Sequence, residues 1–215
     1  MTTISAKPRL RGWLHAGALP VTLVAGFALV ALGPTLQARL ASAIYAITSG
    51  LLFGISATYH RGTLGPRLAE VLRRFDHANI YLIIAGTYTP FALLALDGAA
   101  RVAVLAIIWG GALSGVLFRV FWMGAPRWLY TLLYLALGWT AIFVMPQLLE
   151  GAGVVAVVLV AVGGAFYTAG AIVYGLRRPD PSPGWFGYHE VFHAFTVAAY
   201  VVQYIAVSIV VYSQV

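Results

Sequence analysis

The 215-residue chain contains no cysteine. That absence excludes a disulfide framework, a thiolate nucleophile, an iron–sulfur cluster and a thiolate zinc site. Any metal must therefore bind histidine, carboxylate or backbone oxygen. Charge is scarce as well. Thirteen basic and six acidic residues make up 9% of the chain, where a soluble domain carries about 25%. So few charges cannot cover a water-facing surface. A soluble enzyme, a nucleic-acid-binding domain and a disordered chain are all excluded, despite a pI of about 9.9. Lysine is nearly absent, with one against twelve arginines, a bias that hints at a GC-rich bacterial genome. Hydrophobic residues fill the space at 61%, and mean hydropathy is +0.90. The expectation is a multi-pass, all-α protein of the cell membrane, in a bacterium the cytoplasmic one.

A spanning helix needs roughly 20 mainly apolar residues. Seven such stretches are expected, over residues 14–33, 40–60, 75–96, 102–121, 129–149, 154–176 and 186–212. The runs are continuous where a lipid-facing barrel would alternate in segments of about ten. Turn and breaker residues separate them: Gly33-Pro34, Asp97-Gly98, Pro126, Glu150-Gly151 and the run from Arg177 to Gly184. Only the connection 61–74 has room for extra structure, such as a short surface helix. No linker marks a second domain, so residues 1–13 read as a tail and 14–215 as a single seven-helix bundle. Two small-residue pairs, Gly50/Gly54 and Gly111/Gly115, have the spacing that lets helices approach closely, although chance explains them as well in a chain with 23 glycines. The first span and Ala41-Ser42-Ala43 loosely resemble a secretory signal. The apolar run is long for one, and Arg39 beside the supposed site weighs against cleavage.

Basic residues orient the bundle. Lys7, Arg9, Arg11, Arg61, Arg67, Arg73, Arg74, Arg119, Arg127, Arg177 and Arg178 fall on one side of the expected topology, and only Arg39 and Arg101 on the other. This asymmetry predicts a cytoplasmic N-terminus and an external C-terminus. It also explains the basic pI without invoking nucleic acid, and anionic lipid headgroups become the natural partner.

Ionisable groups at span ends are costly and point to function. His60 closes the second span, Asp76 and His77 open the third, and His189, Glu190 and His193 open the seventh. All lie at one depth, on the expected cytoplasmic side. His189 and His193 are four residues apart, one helical turn, so both imidazoles can grip one ion. Ser56 and His60 repeat that spacing. Three histidines, His60, His189 and His193, match a zinc site with one open position. Asp76 could ligate directly or hold a water at that position. The plainer readings are a carboxylate favouring a helix start for Asp76, a supporting role for His77, and an interfacial residue for His15. His189-Glu190-Val191-Phe192-His193 also reads as the H-E-x-x-H metalloprotease signature. No acidic third ligand follows it, which counts against a protease.

Ser56-Ala57-Thr58-Tyr59-His60, Phe75-Asp76-His77, Ala85-Gly86-Thr87-Tyr88-Thr89-Pro90-Phe91 and the His189–His193 motif together resemble the hemolysin III family. This is the bacterial branch of the progestin and adiponectin receptor superfamily. The resemblance spans the seven-helix order and implies an intramembrane zinc held by His60, His189 and His193, with Asp76 on its water and Ser56 nearby. It leaves a general-base role for Glu190 in doubt. Three functions compete: a zinc-dependent hydrolase of a lipid amide or ester in membrane lipid homeostasis, with Asp76 and Ser56 catalytic; a non-catalytic sensor or receptor with a structural zinc; and a pore-forming hemolysin. The polar residues needed to line a pore are few, so the pore ranks last.

Overall fold

A computed structural model describes residues 7–214. It is helical throughout: α1 (Trp13–Ala31), α2 (Leu36–Arg61), α3 (Pro66–Ala95), α4 (Gly98–Phe121), α5 (Arg127–Gly138), a 3-10 turn (Thr140–Val144), α6 (Met145–Leu176) and α7 (Tyr188–Tyr212). Among the described residues no strand forms, and one isolated antiparallel bridge pairs Ser182 with Phe186. Helices are the natural outcome for an apolar chain in lipid, because each satisfies its own backbone polar groups. Local signals set several ends. Thr35 Oγ1 accepts a hydrogen bond from Ala38 N at 3.1 Å and caps α2. Pro66 occupies the first turn of α3, where its missing N–H costs nothing.

Six helical stretches are long and apolar enough to cross a membrane, and one of them, Arg127–Leu176, is 50 residues long. That stretch doubles back. Trp139 Nε1 donates to Thr168 Oγ1 at 3.0 Å, whereas 29 residues of unbroken helix would separate these groups by about 44 Å. The reversal is at Gly153, whose φ of 79° and ψ of 162° are open to glycine and strained for other residues. The sequence placed the break at Glu150-Gly151 and treated 129–149 as one helix. The helix instead continues past Gly151 and is interrupted earlier, by the 3-10 turn. The room for extra structure in 61–74 is filled by helix, though not by a separate surface one. From Pro66 onward those residues simply extend α3 by about two and a half turns before the span expected to start at Phe75.

Packing runs α1 on α2, α2 on α3, α3 on α4 and α6 on α7, while α3 also touches α5, α6 and α7. The core collects Tyr45, Phe53, Tyr81, Ile108, Tyr200 and Val207. Small residues set the spacing. A Cβ on Gly86 would collide with Thr48, one on Gly115 with the Tyr81 ring, and one on Gly163 with Gln203. Gly111 faces Leu137, with 2.6 Å left for a Cβ, so the Gly111/Gly115 pair does lie in helix contacts. Because α3 is central and antiparallel to α2, the start of α3, the end of α2 and the start of α7 meet at one end of the bundle.

Candidate metal centre

His60 lies in the last turn of α2, and His189 and His193 in the first two turns of α7. One ring nitrogen from each lies within 4.8 Å of the other two. The Nε2 atoms of His60 and His189 are 3.2 Å apart, and the His189 and His193 ring centroids are 4.5 Å apart. Two ligands on one tetrahedral ion at zinc–nitrogen distance sit about 3.3 Å from each other. The imidazoles are therefore gathered on the scale of a single ion. The one-turn spacing on α7 brings two of them together locally, and only helix packing adds the third.

Asp76, in α3, places Oδ2 3.7 Å from His60 Nε2 and 4.0 Å from His77 Nδ1. It stands beside the three nitrogens without joining the tight group. Ser56, one turn before His60, is buried and its Oγ has no hydrogen-bond partner. His77 is turned away. Its Nδ1 lies 2.8 Å from the Arg73 carbonyl and its Nε2 3.4 Å from the Tyr174 hydroxyl, so both nitrogens are engaged outside the cluster.

Glu190 is only 1% exposed and pairs with Arg11. Its Oε2 accepts from Gly187 N at 2.8 Å, closing the first turn of α7. Both oxygens are thus occupied in holding the helix start and the N-terminal segment, which removes Glu190 as the general base of a protease. That segment crosses the same end of the bundle. Arg9 N and Leu10 N donate to the carbonyls of Gly184 and Trp185 at 3.0 and 3.1 Å, and Lys7 Nζ donates to the His60 carbonyl. Partial burial lowers the Lys7 pKa from its ordinary value, and repulsion from Arg11 and Arg61 adds to the effect.

His15 is not interfacial. It is 2% exposed, stacks on His193 with centroids 3.7 Å apart and planes 7° from parallel, and meets Phe53 edge-on. Stacked parallel rings cannot aim in-plane lone pairs at one ion, so His15 braces His193 instead of joining the three nitrogens. Depth held the signal: α1 starts at the end of the bundle where α2 finishes, so a histidine in the first turn of α1 shares the depth of His60.

A cavity of about 170 Å³ opens from this cluster between α3, α5, α6 and α7. Its polar end carries Ser56, Asp76, His189 and His193, and its long wall is aliphatic and aromatic, as at Ile80, Phe91 and Met145. Its form is that of a slot for one apolar chain leading to a few polar groups.

The sequence matches the Haemolysin-III related family over residues 4–204. The chain belongs to that family. It is 35% identical to Hemolysin-3 of Bacillus cereus over 140 residues, which is 65% of this chain and 64% of the relative. It is 34% identical to a Hemolysin-3 homolog of Bacillus subtilis (strain 168) over 152 residues, 69% of this chain and 67% of the relative. The chain thus spans about two thirds of the length of these family members. Family membership and the apolar helices together make it a multi-pass membrane protein.

Proposed function

We propose that this haemolysin-III related protein is a zinc-dependent hydrolase of a membrane lipid amide or ester. One observation carries the reading: three imidazole nitrogens lie within 4.8 Å of one another, and two of them, on His189 and His193, line the polar end of an apolar cavity. The donor set suits zinc, since neutral imidazole is a preferred ligand and no thiolate competes. His60, His189 and His193 would hold the ion, which when bound supplies Lewis acidity that polarises a carbonyl and acidifies water. Asp76 takes the proton of the attacking water and returns it to the leaving group. Ser56, its hydroxyl free, donates to the developing oxyanion. The cavity wall holds the acyl chain and excludes bulk water from the carbonyl.

The same reading sets seven crossings, with the N-terminus cytoplasmic and the C-terminus outside. The Trp139–Thr168 hydrogen bond and the Gly153 reversal support counting Arg127–Leu176 as two legs, and the asymmetry of basic residues supports the orientation. The polar end of the cavity then lies near the cytoplasmic leaflet.

A second reading, a sensor stapled by structural zinc, draws on one feature of the packing. The α2 and α7 backbones approach each other at few points and meet through the Tyr45 and Phe53 rings against Tyr200, so a shared ion would add a direct tie at the site end. Asp76→Asn separates the two. A hydrolase is expected to keep its fold and zinc but lose lipid turnover at least about 100-fold, the scale of general acid–base catalysis. A staple is expected to keep full function. The measurement is lipid extraction and product analysis for wild type, Asp76→Asn and His193→Ala, with zinc content determined on each. Zinc-replete Asp76→Asn with wild-type activity would sink the hydrolase.

A further inference from the structure

Away from the histidines, the most anomalous side chain is Arg119, two residues before the end of α4. It is 1% exposed, and its Nε and Nη1 have no hydrogen-bond partner. Its guanidinium lies over the Tyr130 ring at 4.2 Å. Arg127, which opens α5, also has a buried, unpartnered Nη1, and its guanidinium lies 5.3 Å from the Tyr174 ring centre. The hydroxyls of Tyr81 and Thr131 in the neighbouring helices are buried and unpartnered too. A guanidinium stays charged at every physiological pH, so burial without a counter-ion is costly.

Among the described residues no side chain offers a counter-ion. All six carboxylate side chains lie among the described residues. Glu190 pairs with Arg11, Glu70 with Arg74 at 2.5 Å and Asp97 with Arg101 at 2.7 Å. Asp76 stands beside His60 and His77. Asp180 accepts from Tyr188 N at 2.8 Å. Glu150 belongs to the opposite end of the bundle, where its neighbour Gly151 abuts the Ala95 carbonyl. Among the described residues no ion pair within 4.0 Å includes Arg119 or Arg127. A further guanidinium lies close by, since Arg74 Nη1 donates to the Val120 carbonyl, next to Arg119, but its charge is met by Glu70.

We infer that Arg119, with Arg127 and the Tyr81 hydroxyl, forms an anion site between α3, α4 and α5 that takes a phosphoryl group, supplied by a phospholipid headgroup. Guanidinium N–H groups and a phenol are the donors that recognise phosphate oxygens. Depth favours a lipid source. Phe121, Trp122 and Trp128 flank the site with exposed aromatic side chains, the belt that marks headgroup level. Basic pockets between helices at that level bind anionic headgroups. Tyr130, Thr131 and Tyr174 form part of the main cavity wall, so a lipid phosphate on the far side of Tyr130 would also steady that wall. The site is independent of any metal at the histidines.

The test is thermal unfolding of the delipidated full-length protein in a maltoside detergent. The additions are dioleoyl phosphatidylglycerol, dioleoylglycerol with the same tails and no phosphate, and inorganic phosphate at matched ionic strength. Phosphatidylglycerol is expected to raise the wild-type midpoint by about 5 °C more than dioleoylglycerol, as a saturating ligand does for a chain of this size. Arg119→Met is expected to lose that excess. The same Arg119-dependent rise with inorganic phosphate alone would support the anion site and make free phosphate its ligand. No excess in wild type from either probe, or an undiminished excess in Arg119→Met, overturns the proposal and leaves the guanidinium to water. If Arg119→Met fails to fold, Arg119→Lys decides. It keeps the charge without the planar donors and is expected to lose at least half of the excess; a full excess overturns the site.

Discussion

At the scale of single residues, five histidines divide into three roles that their letter code does not distinguish. His60, His189 and His193 present free nitrogens to one another; His77 spends both of its nitrogens on Arg73 and Tyr174; His15 braces His193 through its face. Replacing His60, His189 or His193 with alanine is expected to abolish most of the bound metal, close to one ion per chain in the wild type, as measured by metal analysis of purified protein. His15→Ala is expected to retain the ion and to lose about 3 kcal/mol of stability, as truncating a packed buried ring does. Full metal retention after one of the first three substitutions removes that residue from the site. The difference between His15 and His60 was only partly legible beforehand. Spacing along one helix pairs His189 with His193 because the helical period is known, but stacking or ligation by a histidine from another helix depends on ring orientation, which packing decides.

At the scale of elements, two joints hold the site end and the far end of the bundle. At the start of α7, Glu190 serves its own helix and Arg11 together. Glu190→Ala leaves Arg11 without its partner, and Arg11→Ala leaves a carboxylate buried. Each is expected to cost about 3 kcal/mol, with the double variant less destabilised than the sum; unfolding by denaturant in detergent measures both. At the far end, Gly153 turns the chain between the legs of Arg127–Leu176. Gly153→Ala is expected to cost about 1–3 kcal/mol through backbone strain. Gly110→Ala, in a helix interior with nothing within 4 Å of the new methyl, is expected to be neutral or to stabilise by up to about 1 kcal/mol. Equal effects at the two positions would show that Gly153 does not carry the reversal. Apolar run length revealed that helices exist here. Turn residues placed most joints, as at Gly33-Pro34, Asp97-Gly98 and Pro126, but the one inside 127–176 was set two residues short of Gly153, because a glycine with positive φ and a 3-10 turn leave the hydropathy of the run unchanged.

At the scale of the molecule, the distribution of basic residues makes a prediction that does not depend on chemistry. A reporter fused after Val215 is expected to be active outside the cytoplasm, and one inserted near Gly65 inside it, because eleven of the thirteen basic residues fall on the expected inner side. A cytoplasmic C-terminus would remove both the seven-crossing count and the leaflet assigned to the cavity. By itself the sequence determined the class of the molecule and the depth of its polar groups. Scarce charge excludes a water-facing globule, unbroken apolar runs demand helices in lipid, and motifs at helix ends give their positions along the membrane normal. Rotation about that normal is a different matter, since it follows from how glycines and large side chains interlock between helices. Only the tertiary structure decided that His15 turns inward against His193, that Glu190 turns to Arg11, that the turn between the two legs of 127–176 falls at Gly153, and that Arg119 lies buried with no carboxylate among the described residues to meet it.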